Sequence, residues 1–270
     1  MIPDNLTAHA DGKLLSGSRE RIGYLVINNA VRHNAIGLDM WAAAAKALES
    51  MSTDPDIRAL VVTGAGGKAF ASGADISKFE KERSGKAAVA KYSETSGRFY
   101  QALEHFPKPT IAVIRGYCIG GGMALAVCCD IRLCTENSRF AVPAARLGVG
   151  YGYSGIKRLT QIVSVASARE IFYTARQFTA AEALQMGLVN QVLPEAELDA
   201  YSEGYLQRIR NNAPLTIAAV KAVTLAIEQD ESNRDLPHLD DMVAACFESE
   251  DYIEGRRAFM EKRTPDFKGR

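Results

Sequence analysis

The chain has 270 residues, 47% of them hydrophobic, and its 32 Lys plus Arg equal its 32 Asp plus Glu. This is enough apolar material for a large core, and too balanced a charge to mark nucleic acid or an anionic membrane as the main partner. No apolar run is long enough to span a bilayer, and the polar opening MIPDNLTAHADGK lacks a secretory h-region, so a cytoplasmic protein is expected.

In chain order, RIGYLVINN (21–29) alternates and is rich in β-branched residues, so it reads as a strand. Residues 37–51 form an amphipathic helical pattern, broken by Asp54-Pro55, and IRALVVTG (57–64) is a buried strand. A long helix over 85–106 ends at Pro107 and Pro109. TIAVIRG (110–116) is a second buried strand, and it runs into Gly120, Gly121 and Gly122 and then the apolar helix MALAVCC. DIRLCTENSRFAV (130–142) gives two short strands around a turn at Glu136-Asn137. The second half is nearly all helical, apart from a short strand in LVNQVLP. No repeat of 20 to 50 residues and no Pro/Ser-rich linker interrupts it, so the expectation is one α/β core over 1–195 and a helical region over 196–270.

The cysteines Cys118, Cys128, Cys129, Cys134 and Cys246 have no CxxC spacing and read as small buried hydrophobes in a reduced compartment. The four histidines are scattered, and no metal site is expected.

Two buried strands end in turns of small residues, VVTGAGGKAFASGADI (61–76) and VIRGYCIGGGMALA (113–126). Gly64, Gly66 and Ala69 match a relaxed nucleotide-binding pattern, but Gly73 falls where the following helix should already be running. No Lys-Ser or Lys-Thr follows a glycine loop, which excludes a P-loop. A second use fits both turns. Bare N–H groups at a helix entrance carry partial positive charge, and a pair of them can hold an oxygen that becomes negative during reaction. The plain alternative is two ordinary tight turns with close strand–helix packing.

AFASGADI (69–76) and GYCIGGGMALAVCCDIRLC (116–134) resemble signature segments of the crotonase superfamily, the enoyl-CoA hydratases and isomerases. FPKPTIAVIRG, FTAAEALQMGLVNQVLP, NAPLTIAAVK and the C-terminal SEDYIEGRRAFMEKRTPDFKGR extend the resemblance over almost the whole chain. It implies a spiral of ββα turns followed by helices that build a homotrimer, often paired into a dimer of trimers. The implied partner is an acyl-CoA thioester, with coenzyme A entering as part of the substrate and no separate cofactor. By position, the resemblance places the oxyanion hole at the N–H groups of Ala71 and Gly121, next to Gly120. It also places Arg32, His33, Ser72, Gly73, Ala74, Asp75 and Ile76 along the CoA channel. For Asp75 a local turn or helix cap is the competing reading, and for Arg146 a surface ion pair.

Hydratases of this family carry two glutamates, at positions that here hold Ala124 and Ala144. Two alanines neither activate water nor move a proton. The segment LGVGYGYSGIKRLT resembles the methylmalonyl-CoA decarboxylases of the same superfamily, which aligns Tyr151 with a tyrosine at the reacting carbon and brings Gly152 and Tyr153 beside it. The additional active-site histidine of those enzymes is Ala74 here. The plain reading of Tyr151 and Tyr153 is aromatic packing at a subunit contact. Three functions follow: an acyl-CoA enzyme of the hydratase/isomerase type, a decarboxylase of a malonyl-type CoA thioester using Tyr151, or a catalytically silent acyl-CoA binding protein.

Overall fold

A computed structural model describes residues 1–78 and 84–270. Eleven strands among the described residues fall into two sheets. The larger holds β1 (Thr7–His9), β2 (Leu14–Arg19), β3 (Ile22–Ile27), β4 (Ala59–Gly64), β6 (Thr110–Ile114), β8 (Ile131–Thr135) and β11 (Gln191–Leu193), neighbours in that order. The first three form an antiparallel meander, and every pairing from β3 onward is parallel. The smaller sheet orders β10 (Phe178–Thr179), β9 (Arg139–Ala141), β7 (Tyr117–Ile119) and β5 (Ala69–Ala71).

The central parallel strands are hydrophobic throughout because both faces of the sheet are covered. Leu25, Ile27, Leu60, Val62, Ala112 and Ile114 point into one core. Their neighbours Tyr24, Val26, Ala59, Val61, Ile111 and Val113 point into a second core on the opposite face. On the first face lie α1 (Leu38–Thr53) and α2 (Gly85–Glu104), packed against each other. Their buried stripes, Met40, Trp41, Ala44, Leu48 and Met51 on one and Tyr92, Ser96, Phe99 and Leu103 on the other, follow the helical repeat.

The strands β4, β6 and β8 are each followed by a short strand of the smaller sheet, β5, β7 and β9. Helices α2, α3 (Gly121–Val127) and α4 (Ala144–Leu147) come next in turn. This repeated ββα unit is the expected spiral. The strands flanking Glu136-Asn137 therefore do not pair as a hairpin: β8 joins the large sheet and β9 the small one.

The chain continues through α5 (Tyr153–Ile162), α6 (Val165–Thr174), α7 (Ala180–Gln185), α8 (Leu198–Asn211), α9 (Pro214–Ile227), α10 (Leu236–Glu248) and α11 (Glu250–Glu261). Leu198 and Leu206 of α8 are fully buried in the second core, so the first helix of the 196–270 region completes the sheet's covering. The buried Lys221 ties α9 to the core by donating to Asp130 Oδ2 at 2.8 Å and Lys108 O at 2.8 Å. Among the described residues, no helix is long and apolar enough to cross a membrane.

Candidate functional site

The two small-residue turns meet. The loop of residues 29–36 organises the first of them. Its buried Asn34 donates to Ala65 O at 2.9 Å and Ala69 O at 2.6 Å, and accepts from Asn29 N at 2.9 Å. Ile36 then bridges the segment after β5, its N–H donating to Gly73 O at 2.8 Å and its carbonyl accepting from Asp75 N at 3.1 Å. Those two bonds flank Ala74. In a parallel pairing of this kind the residue between them turns its own N–H and C=O to the other side. On that side is the entrance of α3.

The glycine triplet has three separate causes. Gly120 has φ +56° and ψ −118°, a backbone conformation that side chains disfavour, and its N–H donates to Ala141 O at 2.8 Å. A Cβ added at Gly122 would lie 2.1 Å from Ala71 O, inside van der Waals contact. A Cβ added at Gly121 would lie 3.2 Å from Tyr100 Oη, 3.5 Å from Ala74 N and 3.5 Å from Gly73 Cα. Gly73, at φ +96°, would point a Cβ within 3.0 Å of Gly121 N. Gly121 opens α3, so its N–H is one of the first-turn donors for which a helix supplies no acceptor.

Ala71 is fully buried at the end of β5, with its carbonyl under Gly122. It is Ala74 whose N–H comes beside Gly121. Ala71, named from the resemblance, and Ala74 belong to the same turn, and the Ile36 bridge that sets the direction of the Ala74 N–H is a long-range pairing.

The neighbouring loop residues gather around the same turn. Ser72 N donates to His33 O at 3.1 Å, and Ser72 Oγ to Arg32 O at 3.3 Å. Arg32 Nη1 donates to both oxygens of Asp75, at 3.2 and 3.3 Å, and to Ser77 Oγ. Burial pushes the Asp75 carboxyl up, but hydrogen bonds from Ser77 and the Arg32 charge outweigh it and hold the group below its usual range. Asp75 also accepts from Ser77 N at 3.1 Å, the local turn role weighed from sequence. His33 is exposed in the left-handed region at φ +49°, its ring edge-on to Tyr117 at 6.1 Å. Ile76 opens a short 3-10 turn, Ile76–Lys78, and its side chain lies outside the described residues.

Tyr151, Gly152 and Tyr153 lie on the segment that enters α5. The Tyr151 ring packs edge-on against Phe172 of α6 at 4.9 Å, a contact within the chain rather than between subunits, while Tyr153 is 80% exposed. Ala124 donates its N–H to Gly120 O at 3.0 Å, and Ala144 is buried at the start of α4. The carboxylate of Glu254 on α11 is gripped by Arg263 at 2.6 and 2.9 Å and by Asp266 N at 3.0 Å. These contacts, Arg263 first, hold its carboxyl at about 2, which makes it a weak base.

Sequence reasoning missed Tyr100. Its hydroxyl donates to Gly121 O at 3.2 Å. The only sequence signal is its position one step off the buried Tyr92–Ser96–Phe99–Leu103 stripe, which directs a side chain to the stripe's edge.

Spiral and site together define the class, a protein of the crotonase superfamily. Residues 17–270 match the family model described as enoyl-CoA hydratase/isomerase. The chain is 32% identical over 248 residues to a crotonyl-CoA hydratase of Syntrophomonas wolfei, covering 92% of this chain and 95% of that protein. It is 35% identical over 243 residues to a carnitinyl-CoA dehydratase of Salmonella enteritidis, covering 88% and 91%. The crystal structure of an enoyl-CoA hydratase/carnithine racemase from Magnetospirillum magneticum superimposes with a TM-score of 0.91 at 32% identity, over 96% of each chain. The chain belongs to the enoyl-CoA hydratase/isomerase family.

Proposed function

We propose that the protein is an acyl-CoA enzyme that holds its substrate's thioester oxygen between the N–H groups of Ala74 and Gly121 and stabilises the enolate formed there. The observation that carries this reading is the approach of the two turns at Gly73 and Gly121, where a Cβ on Gly121 would stand 3.2 Å from Tyr100 Oη and 3.5 Å from Ala74 N, a space fit for a small group beside two backbone N–H groups. Such donors are fixed before reaction, and each is worth roughly 3–4 kcal/mol to a developing oxyanion in other enzymes. The loop that joins Arg32 and His33 to Ser72, Gly73 and Asp75 supplies a polar, partly exposed wall suited to the CoA moiety. Full-length similarity to a hydratase and a dehydratase of CoA thioesters supports the substrate class.

The reaction type follows from what surrounds the gap. Hydration needs a base for water and an acid for the α-carbon, each contributing ~10²–10⁴-fold. With Ala124 and Ala144 at the glutamate positions, hydration of crotonyl-CoA is expected to run at least ~10⁴-fold below a two-glutamate enzyme. Assembly as a homotrimer or dimer of trimers is part of the same proposal. It is supported by the exposed Phe247, Ile253, Phe259 and Met260 on α10 and α11.

Steady-state assays with crotonyl-CoA and a malonyl-type CoA ester, run alongside direct binding, test the reading. Both thioesters should bind, and Gly121→Ala, whose methyl enters the gap, should abolish binding of the acyl end without unfolding the chain. Unchanged binding and turnover in that variant would sink the oxyanion assignment. Release of CO₂ that disappears in Tyr151→Phe would identify the decarboxylase. Tight binding without any turnover would identify the silent binding protein.

A further inference from the structure

We infer that the Tyr100 hydroxyl is a third donor to the thioester oxygen, an inference that rests on the hole proposed above and adds a side chain to it. The point where a Cβ on Gly121 would sit is 3.2 Å from Tyr100 Oη and 3.5 Å from Ala74 N. The hydroxyl therefore borders the same gap as the backbone donors. It donates to Gly121 O at 3.2 Å, a carbonyl at the start of the α3 hydrogen-bond ladder. That acceptor is served by its own helix. The hydroxyl proton can turn from it to a substrate oxygen by rotation about a single C–O bond.

The position of Oη is fixed by packing two helices away from the chemistry. The Tyr100 ring lies against Trp41 at 5.1 Å and Phe99 at 5.6 Å. Trp41 is buried, and its Nε1 donates to Tyr92 Oη at 3.1 Å. The α1–α2 contact thus presents a phenol at the gap with little freedom to withdraw. Such a donor strengthens its hydrogen bond as charge builds on the oxygen and keeps its proton throughout, so no transfer step is involved.

The test uses butyryl-CoA with an isotope-labelled thioester carbonyl, a ligand with no double bond to hydrate. In infrared difference spectra the wild-type protein should lower the carbonyl stretching frequency on binding. Tyr100→Phe, which keeps the ring, should lose a substantial part of that shift and, for whichever reaction is detected, lower kcat by ~10²-fold with KM little changed. A ring-fluorinated tyrosine at position 100, a stronger donor, should enlarge the shift. A full shift and full kcat in Tyr100→Phe would overturn the inference while leaving the backbone hole intact. Bound butyryl-CoA with no shift in the wild type would overturn the hole, and the inference with it.

Discussion

At the scale of single residues, the site is built from absences. Gly120 supplies a dihedral, Gly121 a space and Gly122 a contact surface, and no one of the three substitutes for another. The difference is measurable. Gly122→Ala forces a methyl onto the Ala71 carbonyl, a backbone group that cannot swing aside, and should destabilise the fold by about 2 kcal/mol in denaturant titrations, the range of overpacked cores. Gly121→Ala should leave the unfolding midpoint near that of the wild type, because its methyl enters the gap rather than the core. Equal stability losses in the two variants would contradict this division of roles. The triplet itself was legible in the sequence, as was the family it belongs to. The direction of the Ala74 N–H was not, because it depends on Ile36, thirty-eight positions away in the chain. Tyr100 was illegible for a similar reason: its role depends on where α2 lies against α3, which no local pattern encodes.

Most of the longer elements were readable, the exception being the six-residue β2, whose Ser-Gly-Ser interior hides its alternation. β3, β4 and β6 alternate between two cores, and α1 and α2 carry clear stripes, so residue patterns marked them within a few positions. The three-residue strands β5 and β7 and the two-residue β10 contain too few residues to display a period of two, and they went unseen. Helix α7 shows how a short element is fixed by its ends. Thr179 and Glu182 form a reciprocal capping box, and Arg176 adds an ion pair at 2.8 Å. The Thr179 N–H, then Arg176 and the Thr179 hydroxyl, hold the Glu182 carboxyl at about 2, below its ordinary 4.5. A depressed carboxylate stabilises the fold above its unfolded pKa, and that contribution is lost as pH falls through the folded value. Glu182→Gln keeps the cap geometry but does not titrate. The wild type's advantage in Tm over this variant should therefore be full above pH 4.5, shrink on acidification and vanish near pH 2. A pH-independent difference would show that the charge plays no part.

The whole molecule has two unlike ends. The ββα spiral covers both faces of its sheet, whereas α9, α10 and α11 border an open apolar groove of about 750 Å³ lined by Val223, Phe247, Phe259 and Phe267 among others. Helix α10 has no fully buried residue. Isolated helices owe most of their stability to tertiary packing, so the proposed trimer should be the species in solution at micromolar concentration. Light scattering should return three or six times the chain mass, and a monomer mass would defeat that proposal. The contact between Gly122 and Ala71 carries one more consequence. The spacing of the two turns is limited by repulsion between backbones, a mechanical stop, and such a stop is insensitive to ionic strength and yields little on warming. Substrates that differ only in their acyl tails should thus meet an aperture of constant width, and discrimination among them should arise from the walls beyond it.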